Sequence, residues 1–250
     1  MLATEALSMP ADRRFAPHHK WDRNALALLL ALVWLGVLMG FGGNAVKHGF
    51  NYPFIVHLHA AAFVGWMLLF TTQALLIRNG RQALHKKLGL FGAGLAIVMV
   101  VLGPVTGIVT QTLGFGDPRS DPPFLSVSFL SIVVFAGLVA AALALRRDSA
   151  AHKRLMLLGI IDLSGAGFAR WLGGPIMHWI GPGPLGFWAL VFLVPTVLLL
   201  SIGVYDLVTR RRLLPAYVLG SLFSISLQVA SAWLYFSPTW RTLTEQMVAP

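Results

Sequence analysis

Three ionisable residues stand where a bilayer should exclude them. The stretch His152–Ile180 reads HKRLMLLGIIDLSGAGFARWLGGPIMHWI, an apolar run broken by Asp162, Arg170 and His178 at intervals of eight. A charge at the bilayer centre costs at least about 2.5–3.5 kcal/mol, so each needs an internal partner or water, and such residues mark functional sites by default. Eight helical residues turn about 80° and rise about 12 Å, so Asp162 and Arg170 share a side without touching. Their partners are expected on other helices, among Gln73, Tyr205, Gln228 and Ser224, with Asp206 paired to the neighbouring arginines. A proton relay, an anion site and a ligand pocket all fit this pattern; so does a structural network that fixes helix register.

The histidines offer a second chemistry. His57, His59 and His178 supply three imidazoles, a donor set that suits copper, zinc or iron. Residues two apart on a regular helix point about 200° from one another, so the HLH pair chelates only where the chain is extended. Bis-imidazole haem ligation needs one His from each of two helices at equal depth. His59 with His178 would meet that condition at one end of the bundle, and His85 with His152 at the other. The latter two lie in matching contexts, LHKKLGLFG and AHKRLMLLG. Their cationic neighbours, Arg154 among them, fit an anion such as a lipid phosphate better than a metal.

Two further patterns place polar side chains on helix faces. Tyr217, Ser221, Ser224, Gln228, Ser231 and Tyr235 recur at intervals of 4, 3, 4, 3 and 4, which is one face of a helix. Hydroxyls and an amide on that face must look into a bundle, where they permit close approach and interhelical hydrogen bonds. His59, Trp66 and Gln73 are spaced by seven, with Phe63 and Phe70 nearly on the same face. A polar core built from the second, fifth, sixth and seventh helices is the expectation.

The elements that position these residues are membrane spans. The chain has 250 residues, 57% hydrophobic and 11% charged, with a mean hydropathy of +0.75. Soluble domains carry about 25% charged residues. A span needs about 20 apolar residues, and seven segments qualify: Asn24–Gly43, Phe54–Ile77, Leu88–Gln111, Phe124–Leu145, Leu155–Ile180, Leu185–Val208 and Leu213–Phe236. GFNYP, GFGDPRSDPP and GPGP break the chain between helices. Pro104, among the glycines of the third segment, predicts a bend.

Orientation follows from the basic residues. Fifteen of nineteen fall on one side: Arg13, Arg14, Lys20 and Arg23; Arg78, Arg81, Lys86 and Lys87; Arg146, Arg147, Lys153 and Arg154; Arg210, Arg211 and Arg212. Only Lys47, Arg119 and Arg241 fall on the other, and Arg170 lies within a span. The positive-inside rule puts that rich side, and the N-terminus, in the cytoplasm and the C-terminus outside. The first apolar run is too long for a signal peptide and lacks a small-x-small site, so it reads as an uncleaved helix. Residues 1–23 read as a polar cytoplasmic tail, 24–236 as the bundle and 237–250 as a short extracytoplasmic tail. The formal net charge of +10 is scattered at helix ends, which excludes a nucleic-acid stripe and suits anionic headgroups. With no cysteine, disulfides, thiolate metal sites and c-type haem are excluded.

HLHAAAFVGWMLLFTTQALL, LHKKLG, HKRLMLLG with Asp162 and Arg170, and YDLVTRRRLLPA, in that order over about residues 54–220, resemble a group of bacterial seven-helix integral membrane proteins. The resemblance implies the all-α fold and draws attention to His57, His59, Trp66, Gln73, His85, His152, Arg154, Asp162, Arg170 and Asp206; it implies no reaction. A looser similarity to dihaem cytochrome b membrane proteins lacks the histidines expected in the third and fourth spans. Seven-helix zinc hydrolases and receptors of the adiponectin-receptor type carry an H-x-x-x-H in the last span, which this chain lacks. The expectation is a protein of the bacterial cytoplasmic membrane with a His/Asp/Arg site open to the outer face, holding a small ligand, a metal or haem. The alternatives are a non-enzymatic subunit or assembly factor of a larger membrane complex, and a proton-coupled transporter.

Overall fold

The computed structural model describes residues 15–16, 18–114 and 121–249. Arg13, Arg14 and Arg119 lie outside these residues, as do most of the N-terminal tail and the side chain of His48. Every element among the described residues is helical. The first, α1, runs Asp22–Val37, passes through a π-helical stretch at Leu38–Gly42 and ends with Gly43–His48. It is followed by α2 (Phe54–Arg78), α3 (Gln82–Thr112), α4 (Leu125–Ala144, after the 3-10 turn Pro122–Phe124) and α5 (Ser149–Ile180). The last three are α6 (Pro184–Arg210), α7 (Pro215–Tyr235) and α8 (Pro238–Val248). Seven of these helices, α1 to α7, are long and apolar enough to cross a membrane.

The expected spans are all present, and several are longer than their apolar cores. α5 begins at Ser149, six residues before the expected Leu155, because Asp148 caps it by accepting from the amides of Ala150 and Ala151 at 2.9 and 3.1 Å. α3 begins at Gln82 rather than Leu88, so Lys86 and Lys87 extend a helix instead of forming a loop. The segment 237–250 holds α8, capped by the Ser237 hydroxyl and tied back by Trp240 Nε1 donating to the Pro123 carbonyl at 2.9 Å. Sequence reasoning found only a tail there, since eleven amphipathic residues give no span signal.

The helices surround α5. It packs against α1, α4, α6 and α7, and 61% of its apolar window is buried, against 17% for α2 and for α3. α2 and α3 pair with each other at the rim. The tightest crossing joins α1 to α5. A Cβ added at Gly40 would collide with the Gly167 carbonyl, and one at Gly167 would come within 2.6 Å of the Gly36 carbonyl. The two backbones therefore touch where α1 is π-helical, and only glycine fits there.

The arginine and lysine loops mark one end of the bundle, the basic end, and the far end lies opposite. α1, α3, α5 and α7 start at or near the basic loops.

The α1–α5 crossing predicts that Gly167→Ala lowers unfolding stability in detergent by about 1–3 kcal/mol, the usual cost of overpacking. Gly43→Ala, with open space around the added methyl, should leave stability unchanged or slightly raised. Equal behaviour of the two variants in a denaturant titration would contradict the crossing.

Candidate functional site

Polar and charged side chains gather at two depths. The first group is at the basic end, where α1, α5 and α6 meet. Arg154 and Asp206 face each other with 2% and 0% of their side chains exposed. The guanidinium donates through Nε and Nη2 to the two carboxylate oxygens, both at 2.6 Å, and through Nη1 to the Ala150 carbonyl at 3.2 Å. This is the planar fork that arginine makes with a carboxylate. Arg210 reaches the same carboxylate at 3.3 Å and donates to both oxygens of Asp22, at 2.8 and 2.9 Å. Asp22 also accepts from Lys153 at 2.8 Å and from the Tyr205 hydroxyl at 2.7 Å. Two carboxylates thus answer three cations, leaving one positive charge.

The chain before α1 closes this cluster. The Phe15 ring lies 4.4 Å from the Arg154 guanidinium carbon and 5.2 Å from that of Arg210, close enough for cation–π attraction to both. The Ala16 carbonyl accepts from Arg210 Nε at 2.8 Å. Part of the expected polar tail is therefore built into the site. An isolated aromatic in a proline-bearing polar stretch gives no periodic signal that would have revealed it.

The second group lies mid-way along the spans, between α5, α6 and α7. Thr196 donates to the Gln228 side-chain oxygen at 2.8 Å, and the Gln228 amide donates to Asp162 at a long 3.5 Å. The second carboxylate oxygen of Asp162 is buried without a hydrogen-bond partner, and so are the hydroxyls of Ser224 and Ser231. Asp162 enters no ion pair among the described residues. Pro195 leaves the Val191 carbonyl without its helical donor, and that carbonyl faces Gly165 of α5. The space beside Asp162, Gln228, Ser131 and Ser231 admits no water molecule.

The stripe on α7 connects the two groups. Tyr217, Ser221, Ser224, Gln228 and Ser231 are all buried, as the spacing predicts. From Tyr217 to Gln228 is eleven residues, about 16 Å of rise. The Tyr217 ring lies on Gly203, one turn from Asp206, and its hydroxyl donates to the Leu199 carbonyl at 3.1 Å. In the other direction the way is closed. Phe187 stacks on Tyr235 at 3.9 Å and meets Phe124 and Phe236 edge-on at 6.2 and 5.8 Å.

The remaining candidate residues fall elsewhere, for physical reasons. Arg170 does not share a core with Asp162. It is exposed on the protein surface, 4.7 Å over the Phe41 ring of α1, with Nη1 donating to the Ala166 carbonyl at 2.9 Å. The 80° offset is enough to turn it toward α1 and α2 while Asp162 faces α6 and α7. His59 stacks on Phe63, which leans against Phe41. His57 lies in regular helix and points away from His59, so HLH is no chelate, and His178 is exposed near the end of α5. No three His, Asp or Glu side chains converge among the described residues. Tyr205 belongs to the basic-end cluster rather than to the core of Asp162. Arg154, expected among headgroups, is buried in its ion pair. α2 takes no part in the mid-depth site: Trp66 is buried against Phe135 at 5.1 Å, and Gln73 lies near Gly89 of α3. The paired HK motifs do meet: the rings of His85 and His152 stand 6.3 Å apart at 86°, with His152 Nδ1 2.8 Å from the Ala142 carbonyl.

The ion pair predicts a specific asymmetry. Asp206→Asn should cost about 3–5 kcal/mol, because it leaves a buried guanidinium with no carboxylate, whereas the double change Arg154→Met with Asp206→Leu should cost far less. Denaturation of the three proteins in one detergent checks this; equal losses would contradict it. Comparison of the chain with protein-family models, with curated proteins and with solved structures finds no match in any of the three, so its own geometry is the ground for its function.

Proposed function

We propose that this chain is a multi-pass protein of the bacterial cytoplasmic membrane that binds and releases a proton at Asp162, as the working group of a proton-coupled transporter. One observation carries the reading: a buried mid-span carboxylate with one long amide contact and an oxygen without a partner. A bare carboxylate in hydrocarbon is too costly to persist, so the site must take up positive charge. The adjoining space is too small for a hydrated ion, and a proton needs none. The positive-inside rule makes the basic end cytoplasmic, and the hydroxyl face of α7 leads there from Asp162. The site expected at the outer face has less support, since the aromatic cluster closes that side and the outer histidines do not converge.

The test uses vesicles that contain the purified protein and a trapped pH dye. An imposed pH step should be followed by proton entry that Asp162→Asn slows by about a hundredfold, the scale of a lost proton-transfer group, and that Asp162→Glu partly restores. Difference infrared spectra should show a carboxyl band in wild type that Asp162→Asn removes. Equal proton entry and equal spectra in variants of unchanged thermal stability would overturn the reading.

A second reading rests on the meeting of His85 with His152: a haem held by two imidazoles from α3 and α5. His152, with Nδ1 at the Ala142 carbonyl, keeps Nε2 for a ligand bond. Protein purified from haem-replete cells should then show a Soret band that His85→Ala abolishes; a colourless preparation removes this reading and leaves the first intact.

A further inference from the structure

A groove of about 250 Å³ opens sideways between α1, α5 and α6 in the half of the bundle next to the basic end. Its wall is apolar: Leu28, Leu29 and Leu32 of α1, Leu157 of α5 and Ile202 of α6. Its mouth is ionic, with Asp22, Lys153, Arg154, Tyr205 and Asp206. From Asp22 at the mouth to Leu32 at the deep end is ten residues, or about 15 Å of helix. That is half of a hydrocarbon core about 30 Å thick, the depth of one leaflet.

Charge selects the occupant. Asp206 is wholly buried by Arg154, and Asp22 is engaged by Lys153, Arg210 and Tyr205. The carboxylates at the mouth are thus neutralised, one cation remains in excess, and Lys153 keeps 30% of its side chain exposed. In the chain, Lys20 and Arg23 flank Asp22, and Arg211 and Arg212 follow Arg210. Leu28 and Leu32 are 63% and 36% exposed along the groove, so an apolar chain would cover surface that the protein leaves open.

We infer that this groove is a binding site for one inner-leaflet phospholipid with a net negative headgroup, its acyl chain along the leucines and its phosphate at the Lys153 ammonium, which has donors beyond the one given to Asp22. The Arg154–Asp206 pair stays intact beneath it. This inference is independent of the role proposed for Asp162.

Spin-labelled phosphatidylglycerol and phosphatidylcholine, each added to the full chain in phosphatidylcholine vesicles, test it. Wild type should immobilise the phosphatidylglycerol label in preference, and Lys153→Gln should weaken that preference about fivefold, the effect of one basic residue at a membrane surface. Leu28→Trp, at an exposed position that fills the groove without disturbing the core, should remove the immobilised component. Lys87→Gln, at an exposed basic residue outside the groove, should leave both labels as in wild type. Equal immobilisation of the two labels by wild type would overturn the inference. So would an unchanged signal in Leu28→Trp, an equal loss in Lys87→Gln, or full displacement by soluble glycerol phosphate, which would show a headgroup site with no chain.

Discussion

Hydrocarbon offers a polar group no hydrogen-bond partner, and in this chain that constraint decides which helix lies at the centre. α5 carries Arg154, Asp162 and Ser164, all buried. A helix with that face turned to lipid would have nothing to satisfy it, so α1, α4, α6 and α7 close around it. α3 has no charge between Lys87 and its end and needs no such company; it stays at the rim with α2. The small residues serve the same end. Gly36, Gly40 and Gly167 bring α1 against α5 backbone to backbone, which draws Asp22 to Lys153 and Arg210. The close crossing and the ionic cluster belong to one arrangement.

Charge is settled differently at the two depths. At the basic end Asp22 and Asp206 each meet a guanidinium or ammonium at 2.6–2.9 Å, and the geometry of the Arg154 fork supplies the bonds that offset desolvation. At mid-span Asp162 has one amide at 3.5 Å and no cation among the described residues. A network meant only to fix register would be expected to satisfy its members, since a half-satisfied network is worse than an apolar core. The orphan oxygen of Asp162, with the unpartnered Ser224 and Ser231 hydroxyls, is therefore the feature that a purely structural account explains least.

What the sequence made legible was whatever repeats. The seven spans follow from the length of their apolar runs, and the inward face of Tyr217, Ser221, Ser224, Gln228 and Ser231 from periodicity, because burial in lipid makes a polar stripe on one helix unambiguous. Asp162 stood out by contrast with its neighbours. Pairing across helices was legible only in part: of the partners expected for Asp162, Gln228 does meet it. Tyr205 went to Asp22 and Arg154 to Asp206, choices set by the relative depth and rotation of three helices, which no single segment encodes. Phe15 and α8 were missed for another reason: each sits in a short polar stretch where one aromatic or one cap makes the structure. Arg170 shows the limit of angular reasoning. An 80° offset places two residues on one side of an isolated helix, yet on α5, packed against four others, it separates a contact with Phe41 from one with Gln228.

The two ends of the hydroxyl face are closed by unlike materials. At the far end, rings of Phe124, Phe187, Tyr235 and Phe236 interlock, and α8 is tied to the turn before α4 through Trp240 and an Arg241–Asp121 pair at 3.1 Å. Opening there separates stacked aromatic surface. At the basic end the closure is the Phe15 ring, the buried Arg154–Asp206 fork, and hydrogen bonds from Arg210 and Lys153 to Asp22, which is 15% exposed. Of these only the Lys153–Asp22 contact is open to water, with 30% and 15% of the two side chains exposed, and only such a contact is exchanged for water at small cost. Opening there must also part the buried Arg154 from Asp206, which leaves a charge without its partner in the interior. Packed contacts therefore hold both ends of the hydroxyl face, aromatic at one and ionic at the other, and Asp162 is buried between them.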